Sequence, residues 1–232
     1  MDITDLVKNQ KDRRTATQDN ELIESCYSMT LNEKRLLFLG IAKLDPMKFP
    51  NQSDPACFTV TAKEFGDNFS DTDNPWRTLK RAAKKLRPRY VKLHPKSRAI
   101  EKEINWFDSM EYSSASSSVT ARFSWSIHTR LAGMSGNFTP IPLSEVKPLR
   151  SIYGIRLFEM LRQYKPQGYR KISIADYRFS LDCVEKYKTI GELKRNTLIP
   201  GLNDIKKNTS LKVIFRDVKE GRNITHFEFI IN

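Results

Sequence analysis

Apolar positions recur along the chain with two periods, helical and extended, and the two alternate in a regular order. "LIESCYSMTLNEKRLLFLGIAKLD" repeats at helical spacing: Leu36, Leu37, Leu39, Gly40 and Ile41 give a broad apolar face, and Thr30 three residues before Glu33 makes a capping box. After the turn-rich break "PMKFPNQSDP", the segment "CFTVTAKEF" sets Phe58 and Val60 against Thr59 and Thr61, which predicts a short half-buried strand running into a helix. Asn74 is a good N-cap and Pro75 suits the first helical position. Leu79, Ala83 and Leu86 then share one face of a helix that Pro88 stops. Residues 100–127 predict a β-hairpin, its arms "EINWF" and "VTARFSWSI" joined through "SSASSS".

The same order begins again after "NFTPIPLSEVKPLR", whose three prolines mark the join between two units. "SIYGIRLFEMLRQYK" is an amphipathic helix with Ile155, Leu157, Phe158 and Leu161 available for its inner face. "YRKISIADYRF" is a strand entering a helix, "IGELKRNTLIPGLNDIKKNT" is helical, and "LKVIFRDVKEGRNITHFEFII" is a hairpin turning at Gly221. Helix, short strand, helix, basic helix and hairpin is the element order of a winged helix, so the predicted class is α+β with two tandem winged-helix domains. A faint echo accompanies the repeat: "FTVTAKEF" from Phe58 aligns with "ISIADYRF" from Ile172, and Leu79-Lys80-Arg81 with Leu193-Lys194-Arg195 at the same offset. Residues 1–19 are polar, without periodicity, and read as a flexible arm. Residues 20–143 form the first domain and 144–232 the second.

Charge narrows this picture. The 232 residues carry 40 Lys and Arg against 27 Asp and Glu, a net charge of +13. The stretch Asn74 to Arg98 holds Arg77, Lys80, Arg81, Lys84, Lys85, Arg87, Arg89, Lys92, Lys96 and Arg98 and no acid at all. Surface helices ordinarily mix the signs, because opposite charges three or four residues apart stabilise each other. A solvated face is the ordinary explanation of a basic run, but an acid-free face on the helix before a hairpin fits a polyanion better. A membrane-surface helix would set bulky apolar residues against its cations. Here the inner face is Leu, Ala, Leu, and double-stranded DNA is the better partner. The longest apolar run, "LLFLGIA", is far short of the ~20 residues that span a bilayer, and "MDITDLVKNQKDRR" is not a secretory signal. Cys26, Cys57 and Cys183 form no ligand spacing and fit reduced thiols, so the expected compartment is the cytoplasm.

A search for chemistry finds little. There is no GxxxxGK[ST] and no GxGxxG. His94, His128 and His226 are isolated, with no metal-binding pair of the kind a DNA-nicking enzyme needs beside its tyrosine. Asp67, Asp71 and Asp73 lack the glycine and the final glutamate of a calcium loop. The chain reads as a binder, not an enzyme, with no cofactor and no metal.

Four stretches resemble one family, the iteron-binding replication initiators of theta-replicating plasmids, which carry two winged-helix domains. They are "NELIESCYSMTLNEKRLLFLGIAKLD" with its Glu33-x-Arg35-Leu-Leu core, "FTPIPLSEVKPLRSIYGIRLFEMLRQYK" with Arg156-Leu157-Phe158-Glu159, "ELKRNTLIPGLNDIKKNTSLKV" and "KEGRNITHFEF". The resemblance implies a protein that binds direct repeats at an origin as a monomer, one helix from each domain in successive major grooves. It also implies opening of A·T-rich DNA, recruitment of a host initiator and helicase, and a homodimer, formed through the first domain, that represses its own gene at an inverted repeat. Carried over by position, Lys194, Arg195 and Asn196 read bases, Lys206 and Lys207 lie nearer the backbone, and Lys219 and Arg222 sit on the wing. In the first domain Arg77, Lys80, Arg81, Lys84, Lys85 and Arg87 are the DNA-binding set. Asn196 stands where a third basic residue is common, and Gly201 after Pro200 weakens that helix. A double winged-helix repressor without a replication role is the alternative.

Overall fold

The computed structural model describes residues 14–53, 56–69, 73–94, 101–133 and 136–232. The first unit contains β1 (Thr15–Asp19), α1 (Asn20–Glu24), α2 (Leu31–Ile41), β2 (Cys57–Thr61), α3 (Ala62–Asn68), α4 (Pro75–Leu86), β3 (Tyr90–Lys92), β4 (Glu103–Asn105), β5 (Phe107–Ser113), β6 (Ser118–Phe123), α5 (Trp125–His128), β7 (Phe138–Pro142) and α6 (Leu143–Val146). The second contains α7 (Ile152–Gln163), β8 (Tyr169–Ser173), α8 (Ile174–Ser180), α9 (Ile190–Leu193), a π-helical turn (Lys194–Leu198), α10 (Ile199–Asn208), β9 (Val213–Glu220) and β10 (Asn223–Ile231).

Side-chain caps start these helices, those of α2 and α4 at the positions the sequence predicts. Thr30 and Glu33 form the capping box of α2, Thr61 caps α3 and Asn74 caps α4; Ser151, Ser173 and Thr189 do the same for α7, α8 and α9. In both units a hairpin is completed by the strand that precedes the helix pair, giving the sheet orders β2-β6-β5 and β8-β10-β9. The repeated winged helix is therefore real at the level of topology. The residue echo is less regular: Thr61 and Ser173, the equivalent caps, are two residues closer together than the shared offset requires. That offset holds on the basic helices, where Leu79 and Leu193 are both fully buried.

Three local readings change. Residues 15–19 are not a flexible arm: β1 pairs antiparallel with β7, from Thr15 against Pro142 to Asp19 against Phe138, and Ala16, Thr17 and Gln18 are buried. Nothing in its alternation announces the strand, because Gln18 faces inward to a buried carboxylate instead of an apolar core. Residues 1–13 of the arm lie outside the described residues, as do Asp71, Lys96 and Arg98. The hairpin is also shorter than expected. "EIN" pairs with "YVK", Val91 opposite Ile104, while β5 and β6 form the wing, and "WSIH" is a helical turn capped by Ser124. Trp106, fully buried, sits between the two ladders.

The cores are built in the same way. In the first, Phe58, Phe107 and Phe123 cluster with ring centroids 5.0–6.2 Å apart against α2 and α4. A Cβ on Gly40 would collide with the Phe58 ring, so glycine there permits the contact. In the second, Tyr177, Phe227 and Phe215 stack edge to face. α7 and α10 pack at two glycines: a Cβ on Gly154 would strike Asp204, and one on Gly201 would lie 3.2 Å from Leu157. Gly201 is thus a packing position, and the helix continues through it to Asn208.

A buried polar cluster joins the two units. Lys34 Nζ on α2 lies 2.7 Å from Glu159 Oε1 on α7, and Arg156 Nη1 lies 2.9 Å from Glu159 Oε2. Gln18 of β1 donates to Glu159 at 2.9 Å. The Tyr27 hydroxyl accepts from Lys34 and Arg156 and donates to Glu159. Arg156 Nη2 also donates to the carbonyls of Ile23, Ser25 and Ser180, at 2.9–3.0 Å. Burial alone would raise the Glu159 pKa, but Lys34 and Arg156 outweigh it and hold the carboxyl below its ordinary 4.5. Burial pushes Lys34 down to about 8 against the pull of Glu159, so it remains charged at neutral pH.

Glu159→Gln leaves two buried cations without a counter-charge, and such losses cost about 3–5 kcal/mol. Its urea midpoint should fall sharply, whereas Glu103→Gln, which breaks the exposed pair with Lys92, should cost about 0–1 kcal/mol. The ionised Glu159 stabilises the fold above pH 4.5, and that contribution is lost as pH falls through the lower folded value. The acid limb of the wild-type stability profile should therefore flatten in the variant; equal acid sensitivity in both proteins would remove Glu159 from this role.

Candidate nucleic-acid interface

α4 divides its residues cleanly. Leu79, Ala82, Ala83 and Leu86 are buried, while Arg77, Arg81, Lys84 and Lys85 are exposed. Among the described residues none of these four cations, nor Lys80, pairs with a carboxylate. Lys80 lies with its Nζ 5.3 Å from the centroid of the Trp76 ring, at the first turn of the helix. Arg87 differs from the rest: its Nη2 donates to the Asp108 carbonyl on β5 at 2.8 Å, which ties the helix end to the wing. Arg89 is paired inward with Glu33. The first wing turns through serines and carries no cation at its tip. The candidate cations of this domain therefore lie on the helix face and not at the wing tip.

The equivalent helix of the second domain is built otherwise. Pro200 has no N–H to donate to the Asn196 carbonyl, and its ring crowds that oxygen. The chain takes a wider turn, with the Ile199 N–H bonded to the Lys194 carbonyl, before α10 resumes. Such π turns are uncommon and concentrate at functional sites. Asp204, on α10, accepts from the backbone N–H groups of Arg150 and Ser151 at 3.0 and 2.8 Å, fixing the helix against the start of α7.

The candidate residues on this helix fare differently. Arg195, Asn196, Lys206 and Lys207 are exposed, and Arg195, Lys206 and Lys207 have no ion pair among the described residues. Asn196 donates through Nδ2 to the Glu192 carbonyl at 2.8 Å, leaving its side-chain oxygen outward. Lys194 is engaged within the protein: its Nζ lies 2.7 Å from Asp217 on β9 and 5.1 Å from the Phe215 ring centroid. The pair clamps the wing to this helix. Wing residues Lys219 and Arg222 are exposed on either side of Gly221, whose φ of +60° makes the tight turn. Two exposed residues were not anticipated, Ile199 and Asn203. Both continue the stripe of Arg195 at helical spacing, which was the available signal.

Two family models cover this architecture. One, described as "Initiator Replication protein, WH1", matches residues 15–162, and the other, "Initiator Rep protein, WH2", matches residues 173–231. The chain belongs to the initiator replication protein family. An uncharacterized 27.6 kDa protein of Escherichia coli is 26% identical over 205 residues, covering 84% of this initiator and 85% of the relative. Among solved structures, the Pi initiator protein in complex with iteron DNA shares the fold with a TM-score of 0.79 at 22% identity, over 94% of this chain and 96% of that one. Domains 2 and 3 of RctB superpose with a TM-score of 0.52 at 11% identity, over 88% and 82%.

The two helices predict separable phenotypes. Replacing Lys84 and Lys85 together with Ala should weaken binding to cognate and random DNA alike and lower the salt slope by about 2. Arg195→Ala should cost about 1–3 kcal/mol on the cognate site and relax preference at one base pair. Titrations on both DNAs at two salt concentrations separate these outcomes; matching profiles for the two variants would abolish the division of labour.

Proposed function

We propose that this initiator binds direct repeats at a plasmid origin as a monomer and represses its own gene as a dimer formed through the first domain. The observation that carries the reading is the unpaired cationic face of α4, together with exposed Arg195, Lys206 and Lys207 on the equivalent helix of a second winged helix, in a chain of the initiator family. Arg195 and Asn196 suit base edges, since Arg bonds guanine O6 and N7 and Asn bonds adenine N6 and N7. Arg77, Lys80, Arg81, Lys84, Lys85 and Arg87, with Lys206, Lys207, Lys219 and Arg222, suit phosphates, which position a protein without specifying sequence. Lys194 acts from its pair with Asp217, by holding the wing. With one helix from each domain in successive major grooves, the contacts fall about one turn apart.

The first unit, β1 to α6, then supplies grip and the dimer contact, and the second, α7 to β10, supplies specificity. The binder works without catalysis, in the cytoplasm, alongside a host initiator and helicase. Among the described residues no helix is long and apolar enough to cross a membrane.

Footprinting on DNA flanking the gene is the test. Monomer should protect tandem repeats and dimer an inverted repeat. Protection of an inverted repeat alone, with no tandem repeats bound, would make the chain a repressor without a replication role. If about six phosphates are neutralised, affinity should fall about a thousandfold between ~50 and ~200 mM salt.

A further inference from the structure

The reading helix exposes an aliphatic side chain at the centre of a polar stripe. Ile199 is 48% exposed, while Leu193, Thr197, Leu198, Gly201 and Ile205 of the same helix are buried. The buried positions already provide a continuous inner face, so Ile199 is not needed for the core. The exposed residues Arg195, Asn196, Ile199, Pro200, Asn203 and Lys206 follow one another at intervals of one or three along the helix, and so lie on one side of it. Cations stand towards both ends of the stripe. Its middle is an isoleucine and an asparagine. Asn203 makes no side-chain hydrogen bond among the described residues, so its amide donors and acceptor face outward unengaged.

The chemistry of that middle matches one kind of base pair. In the major groove thymine presents a 5-methyl group that packs on apolar side chains, and adenine presents the N6 donor and N7 acceptor that an amide bonds bidentately. We infer that Ile199 and Asn203 are specificity residues that read A·T base pairs, Ile199 through thymine methyl groups and Asn203 through adenine. The inference rests on the docking of this helix in the major groove proposed above. The neighbouring Lys194–Asp217 clamp keeps the helix and wing in fixed relation, so the methyl-reading position is held by the fold.

The experiment uses the full chain and a duplex carrying one footprinted repeat, with each thymine replaced in turn by uracil. That exchange removes only the 5-methyl group and leaves every hydrogen-bonding atom. Wild-type protein should lose about fourfold in affinity at one or two thymines, the worth of one buried methyl group. Ile199→Ala should bind the unmodified duplex correspondingly less well and be indifferent to uracil at those positions. Val184→Ala, at another exposed aliphatic residue, should retain the wild-type pattern. In a parallel arm, 7-deazaadenine should weaken wild-type binding at one adenine and leave Asn203→Ala unchanged there. A repeat that is protected but insensitive to every uracil overturns the assignment of Ile199 and leaves the initiator reading standing. The assignment fails equally if Ile199→Ala keeps the wild-type uracil pattern. Absence of protection on any repeat overturns both.

Discussion

The Glu159 carboxylate, buried between Lys34 and Arg156, is the contact on which the relation of the two domains depends. Three charges in a space closed to water are stable only when each is answered, and here nearly every partner comes from a different element. β1 supplies Gln18, α1 supplies the Ile23 carbonyl, the segment after it supplies Tyr27 and the Ser25 carbonyl, α2 supplies Lys34, α7 supplies the Arg156–Glu159 pair, and the end of α8 supplies a carbonyl. Apolar residues could fill the same volume with comparable stability, but they would tolerate sliding. A hydrogen-bonded cluster specifies one mutual placement of the domains. Any function that uses the two basic helices together needs that placement.

The two helices are built to different physical rules. α4 exposes cations that pair with no carboxylate among the described residues, so their field is directed outward. The second helix commits one cation, Lys194, to the wing and keeps a shorter row of mixed chemistry facing out: guanidinium, amides, an isoleucine. A dense uniform charge attracts any phosphate backbone; a mixed row discriminates among bases, because each group has a different preferred edge. Pro200 and Gly201, which look like flaws in a helix, serve this arrangement. The proline forces the wide turn, and the glycine lets α10 close on α7.

Much of the fold was legible because local signals agreed. Thr30 with Glu33 and Asn74 with Pro75 begin helices where they stand, and the second hairpin follows from alternation. The basic face of α4 was equally legible, since a run without acids needs no tertiary knowledge to notice. β1 was not, because its strand is half polar and its buried glutamine is explained only by a carboxylate far along the chain. The short β3–β4 ladder was also hidden, since "EIN" alternates as well for one partner as for another, and only the burial of Trp106 separates it from the wing.

The initiator motifs show the boundary most clearly. Glu33-Lys34-Arg35 and Arg156-Leu157-Phe158-Glu159 stood out as separate stretches in the amino-acid order, each readable as a helix with a charged turn. The sequence by itself determined the elements, their duplicated order and the sign of the surface, because caps, periodicity and charge act over a few residues. Only the tertiary structure decided that Lys34 and Glu159 neutralise each other, that Lys194 belongs to Asp217, and that Ile199 faces outward. Those outcomes depend on which distant groups meet, and on the loss of water where they do.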